Sequence, residues 1–97
     1  MIVSAHPLAE QELVDGAIYY SSQATPELAR DFIAEFERSI NLLREHPKLG
    51  AVWRSRFRRL PIRRFPYTII YCHSGDILLV IAPAYQRRKP GYWRGRV

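Results

Sequence analysis

The last third of the chain contains two apolar runs of strand length joined by a short polar turn. Residues 65–72 alternate between two faces, whereas residues 77–84 are apolar at almost every position. Alternation indicates a strand with two different faces, and a continuous apolar run indicates a central strand that is covered on both sides. Gly75 in the intervening turn supplies the positive φ that tight hairpins need. The sequence therefore predicts a hairpin whose second arm is central, with a bulge or strand end at Pro83.

The segment before this hairpin is rich in arginine and predicts a third strand. Phe57, Leu60 and Ile62 are set among arginines, and Pro61 limits the hydrogen bonds that the strand can make. One face of this strand should therefore be basic. Together with the hairpin it predicts an antiparallel three-stranded meander.

The first half of the chain predicts a strand followed by two helices. Residues 2–5 are β-prone, and Pro7 then marks a helix start. Apolar residues at helical spacing continue to Tyr20, and residues 21–25 are polar and typical of a turn. Thr25 and Pro26 begin a second helix, which should end at His46-Pro47. The two helices should pair as an antiparallel hairpin.

These elements predict a single α+β domain over residues 1–97. Along the chain, the N-terminal strand is followed by the helical hairpin and then by the antiparallel meander. In the fold, the N-terminal strand should be added to the edge of the meander to form one small sheet. A chain of 97 residues has room for one core but not for separate cofactor and substrate domains.

Composition excludes several classes of protein. There is no run of about 18 apolar residues for a membrane span, and the N-terminus does not resemble a secretion signal. The single Cys72 and three scattered histidines argue against disulfides and a structural metal. We therefore expect a cytoplasmic protein with no metal or organic cofactor.

Charge is distributed unevenly along the chain, which has a net charge of +6. From Arg54 to Arg96 there are ten arginines and one lysine, and Asp76 is the only acid. This asymmetry predicts an anionic partner on the C-terminal half, although a solvated basic surface without a partner is the alternative. The residues expected to contact such a partner are Arg56, Arg58, Arg59, Arg63, Arg88 and Trp93.

Three segments in this order resemble the RelE/ParE toxin superfamily, and its ParE-like branch more closely. They are LLREHPKLG at the end of the second helix, the strand RRFPYTIIY, and the closing QRRKPGYWRGR. The resemblance covers nearly the whole chain. It implies a toxin encoded beside an antitoxin that masks its active surface, and hence a hetero-oligomer. Some members of the superfamily cleave messenger RNA on the ribosome, and others inhibit DNA gyrase by binding it.

In the ribonuclease branch, the resemblance implies catalytic roles for Arg64, Arg87 and Tyr92. Arg64 and Arg87 would contact the reacting phosphate, and Tyr92 would stack on the substrate base, with Trp93 competing for that role. Cleavage of RNA also needs a proton acceptor and a proton donor. Arginine serves poorly as either, because its pKa exceeds about 12, and Tyr85 stands where many similar chains carry histidine.

The leading hypothesis is therefore a toxin that acts by binding DNA gyrase. A ribosome-dependent endoribonuclease that uses Arg64 and Arg87 is the alternative. A third possibility is a non-toxic member of the family that binds nucleic acid or an antitoxin.

Overall fold

The computed structural model describes residues 1–96 as one five-stranded sheet with two helices. The elements are β1 (Ile2–Ala5), α1 (Pro7–Gln23), α2 (Pro26–Glu45), β2 (Ala51–Val52), β3 (Arg58–Pro61), β4 (Tyr67–Ser74), β5 (Ile77–Tyr85) and a short 3-10 helix (Arg94–Arg96). The strand order is β1-β5-β4-β3-β2, with β1 parallel to β5 and the other pairs antiparallel. The predicted α+β fold, with the N-terminal strand at a sheet edge, is confirmed.

The sheet also contains an element that the sequence did not reveal. The two-residue strand β2 pairs with Arg58 and Arg59, so β3 is not an edge strand along that stretch. Ala51 and Val52 are too few to show alternation, which explains why the pattern missed them.

Both helices begin where the sequence predicts. The backbone N–H of Leu8 donates to Nδ1 of His6 at 3.1 Å, and that of Leu28 donates to Oγ1 of Thr25 at 3.0 Å. The predicted turn at residues 21–25 is wrong in its first half, because α1 continues to Gln23. The polar residues there reflect exposure to solvent rather than a break in the helix. Neither α1 nor α2 is long and apolar enough to cross a membrane.

The two faces of the sheet are covered by different parts of the chain. Ile69 and Tyr71 of β4 point into the core beneath the helices, whereas Ile70 and Cys72 point to the opposite face. That opposite face is covered by Trp93 and its neighbours from the C-terminal residues. The central position predicted for β5 is confirmed, since Leu78 and Ile81 are both fully buried.

A β-bulge in β5 changes which residues face the helices. Tyr71 of β4 pairs with Val80 while Ile70 pairs with Ala82, so Ile81 is an extra residue opposite this step. After such a bulge the alternation of side chains is reversed. As a result Pro83 lines a cleft beside α1, whereas Ala84 lines a groove on the other face. Beyond Val80 the neighbour β1 has ended, so β5 can accept a proline there.

Glu35 of α2 holds the loop between β3 and β4. Its carboxylate accepts hydrogen bonds from the Arg38 guanidinium at 2.7 and 2.8 Å and from the backbone N–H of Arg63 at 3.2 Å. The hydrogen bonds from Arg38, and more weakly that from Arg63, lower the pKa of Glu35 from its ordinary 4.5 to about 2, although partial burial opposes them. This carboxylate is therefore a pH-dependent contact between a helix and the sheet.

Replacing Glu35 should lower the free energy of unfolding and make it depend less on pH under acidic conditions. Because the folded pKa lies below the unfolded one, the contribution of Glu35 is complete above about pH 4.5 and is lost as the pH falls towards 2. We expect Glu35→Gln to lower the free energy of unfolding by about 1–2 kcal/mol at pH 7 and to weaken its decline between those pH values. Urea unfolding across the range measures both effects. Glu37→Gln, at an exposed site on the same helix, is the control, and equal acid slopes in all three proteins would contradict this assignment.

Candidate functional site

The residues after β5 fold back over the sheet face that the helices leave uncovered. We call residues 86–96 the C-terminal segment. Its Trp93 is 2% exposed and packs its ring against Trp53 at 5.3 Å and Phe57 at 4.8 Å, measured between ring centroids. Large aromatic side chains gain much of their stabilisation from such burial. Trp93 therefore fixes the C-terminal segment to the sheet, and in this position its ring is not available to a partner.

Glu12 of α1 fixes the same segment from the other side. The Tyr92 hydroxyl donates to Oε2 of Glu12 at 2.8 Å, and the Arg96 guanidinium pairs with Oε1. Arg96 also donates to the carbonyl of Ile81 at 3.1 Å, and Arg88 lies 3.9 Å from Glu12. One carboxylate thus joins α1 to three side chains at the end of the chain.

Both the hydroxyl group and the ring of Tyr92 have partners within the protein. Burial raises the pKa of its hydroxyl, and the hydrogen bond to Glu12 raises it further. The Arg88 guanidinium lies over the Tyr92 ring, 4.0 Å from its centroid. The face of this ring is therefore shared with a cation, an arrangement that stabilises both groups.

A groove of about 220 Å³ lies between the C-terminal segment and the sheet. Arg59, Arg88 and Lys89 give it positive charge. Its other walls are formed by apolar and aromatic side chains, together with Thr68 and Gln86. We call this concavity the basic groove. Cations beside rings are suited to an anionic or aromatic ligand.

Two other predicted contact residues, Arg56 and Arg58, do not line this groove. Arg58 donates to the carbonyl oxygens of Gly50 at 2.8 Å and Lys48 at 3.2 Å, so it holds the connection between α2 and β2. Arg56 lies 5.5 Å from the centroid of the Phe57 ring and is exposed. Of the two, Arg56 is the better placed to reach a partner.

The three residues predicted for catalysis have different surroundings. Arg64 lies in the loop between β3 and β4 and pairs with Asp31 of α2 at 3.3 Å. Tyr92 is bonded to Glu12, and Arg87 is exposed with no hydrogen bond or ion pair to residues 1–96. Neither Arg64 nor Arg87 lines the basic groove. Of these three predicted residues, Tyr92 is the one that lines the groove.

Arg63 and Arg64 belong to a surface beside α2. The backbone N–H of Arg63 is bonded to Glu35, and its side chain is exposed. Arg64 has a φ of 71°, a left-handed conformation that bulky residues rarely adopt. The ion pair with Asp31 and the position of its guanidinium 5.3 Å from the Phe65 centroid help to hold it there.

The sequence pattern did not identify Glu12 or Thr68 as site residues. Glu12 is separated from Tyr92 by 80 positions, and helical spacing assigned it no particular role. Thr68 lies on the face of β4 that carries Ile70, and the alternation of that strand contained this signal.

The structure thus defines a small α+β domain in which a basic groove lies between the C-terminal segment and the sheet face opposite the helices. Residues 3–90 match the family described as ParE toxin of type II toxin-antitoxin system, parDE. The chain belongs to this ParE toxin family. A comparison with curated proteins returned no match.

A solved structure of the chromosomal ParDE TA system from P. aeruginosa contains a chain of the same fold. The two chains superpose with a TM-score of 0.73 at 19% sequence identity, over 84% of this chain and 91% of that chain. At this level of identity the likeness concerns the fold.

Removing Glu12 should loosen the C-terminal segment without unfolding the domain. The backbone N–H groups of Tyr92, Arg94 and Arg96 are bonded within the segment, so their hydrogen exchange reports its opening. Because bonds to a charged group contribute about 1.5–3 kcal/mol, we expect exchange at least about tenfold faster in Glu12→Ala. Glu10→Ala, an exposed acid on the same helix, should leave these rates unchanged. Unchanged exchange in Glu12→Ala would show that Trp93 alone holds the segment.

Proposed function

We propose that this protein is the toxin of a type II toxin–antitoxin module and that it acts by binding DNA gyrase. Membership of the ParE toxin family supports the first part. The observation that carries the second is the basic groove, which offers Arg59, Arg88 and Lys89 but no evident proton acceptor. Its chemistry suits holding an anionic surface better than cutting a chain.

The positions of the histidines support binding over cleavage. His6 caps α1, His46 caps α2 and His73 lies in β4, and none of them lines the groove. Tyr92, whose hydroxyl pKa is raised and whose O–H donates a hydrogen bond to Glu12, is poorly placed as a general base. RNA cleavage would need both a base and an acid within reach of the phosphate.

The partners follow from the same proposal. A cognate antitoxin would neutralise the toxin by covering its active surface, giving a hetero-oligomer in the cytoplasm. The likeness to a chain of a ParDE system supports such a pairing. The exposed candidates for contact with gyrase or antitoxin are Arg56, Arg59, Arg63, Arg87 and Arg88. Contacts by Arg58 or Trp93 would require them to leave the bonds and packing described above.

Gyrase assays with purified protein test this proposal. We expect the chain to inhibit supercoiling and to trap gyrase on DNA, and expect Arg59→Ala/Lys89→Ala to need about five- to tenfold more protein, since each exposed charge contributes at most about 1 kcal/mol. Arg30→Ala, which removes an exposed arginine of α2, should behave as the unchanged protein.

Two results would contradict the proposal. Cleavage of ribosome-bound message without any effect on gyrase would establish the endoribonuclease alternative, and its loss in Arg64→Ala or Arg87→Ala would identify the residues responsible. Unimpaired growth during expression of folded protein without antitoxin would instead indicate a non-toxic binding module.

A further inference from the structure

A second concavity, of about 370 Å³, lies between α1 and the ends of β4 and β5. Five tyrosines line it, and we call it the tyrosine cleft: Tyr19, Tyr20, Tyr67, Tyr85 and Tyr92. It shares Tyr85, Arg88 and Tyr92 with the basic groove, but its remaining walls are different. Such a concentration of one ring type in a chain with six tyrosines needs an explanation beyond filling the core.

The cleft is open enough for a ligand to reach these rings. Tyr19 is 59% exposed and Tyr85 is 37% exposed, whereas Tyr20 and Tyr67 form half-buried walls. The Tyr67 and Tyr85 ring centroids lie 5.4 Å apart. Gly16 permits the close approach of α1, because a Cβ there would lie 3.2 Å from the Tyr67 hydroxyl.

Four of the five hydroxyl groups in the cleft differ from that of Tyr92, which is bonded to Glu12. Those of Tyr19, Tyr20, Tyr67 and Tyr85 make no hydrogen bond to residues 1–96 of the protein. Burial raises the pKa values of Tyr20 and Tyr67, and neighbouring tyrosines add to both shifts. These phenols therefore stay protonated at neutral pH and offer oxygen lone pairs as acceptors.

Asp15 is the acidic group of the cleft that has no cationic partner among the described residues, whereas Glu12 is already paired with Arg96 and Arg88. Glu12 and Asp15 both line the cleft, three residues apart and so on one face of the helix. Arg88 already shows how a cation can fit here, because its guanidinium lies 4.0 Å from the Tyr92 centroid and 3.9 Å from Glu12. The Asp15 carboxylate accepts only the Gln11 amide, at 2.9 Å, among the described residues.

We propose that the tyrosine cleft binds the guanidinium group of an arginine side chain presented by a partner protein. Guanidinium is planar, stacks on aromatic faces and carries five N–H donors, which match the free phenolic oxygens and the Asp15 carboxylate. A compact, strongly hydrated ammonium matches the flat ring walls less well. The proposal does not depend on the identity of the toxin's target.

Titration of the full chain with N-acetylarginine amide tests this site. We expect the NMR signals of the Tyr19 and Tyr85 rings to shift, with a dissociation constant on the order of 1 mM. The matched probe is N-acetylcitrulline amide, which has nearly the same shape without the charge and should bind at least about fivefold more weakly.

Variants of exposed residues distinguish binding in the cleft from nonspecific attraction of the probe to acidic side chains. Tyr19→Leu and Asp15→Asn should each weaken binding of N-acetylarginine amide about two- to fivefold. Glu10→Gln removes another exposed acid of α1 outside the cleft and should leave binding unchanged. Because Tyr19 is exposed, its replacement should leave the fold intact, and circular dichroism verifies that each variant is folded.

Three results would overturn the proposal. Equal binding of the arginine and citrulline probes would remove the role of charge. Tighter binding of spermidine would indicate a free polyamine as ligand, and tighter binding of adenosine monophosphate would indicate a nucleotide site. Failure of this test would leave inhibition of gyrase untouched, so the two proposals are distinguishable.

Discussion

β5 is buried on both faces, and this burial decides where the helices and the C-terminal segment must lie. Leu78 packs beneath the helices and Ile81 beneath the C-terminal segment, and neither has any exposed surface. The helical hairpin covers one face, so the chain beyond β5 must return to cover the other. Trp93 closes that second face, where it contacts Trp53 and Phe57. The basic surface of the protein is therefore built on a segment that the core itself requires.

Glu12 links this packing to the charge of the site. It receives the Tyr92 hydroxyl and Arg96, so part of the positive charge of the C-terminal segment is used to hold the segment in place. Arg59 and Lys89 line the basic groove without such partners among the described residues. The division matters because a cation already paired within the protein has less to gain from an external anion. Some cations of the C-terminal half are thus paired within the protein, whereas Arg59 and Lys89 remain available to a partner.

Much of the fold could be predicted from the sequence because its signals are local. Pro7 and Thr25 mark helix starts, and the alternation in residues 65–72 assigns the two faces of β4. The site was harder to predict, because it depends on contacts between residues that are distant in the sequence. Nothing in the spacing of Arg64 indicates that it pairs with Asp31 rather than facing Tyr92. Likewise, tryptophan is a residue type that is common at contact surfaces, and only the fold shows that the Trp93 ring is buried.

Hydrogen exchange of the protein with and without purified DNA gyrase would locate the surface that contacts the enzyme. If the basic groove is the contact surface, amides of the C-terminal segment and of β3 beside Arg59 should exchange more slowly in the complex. Exchange on the exposed side of α2, around Arg30 and Glu37, should not change. Protection confined to α2, with the C-terminal segment unaffected, would contradict the account.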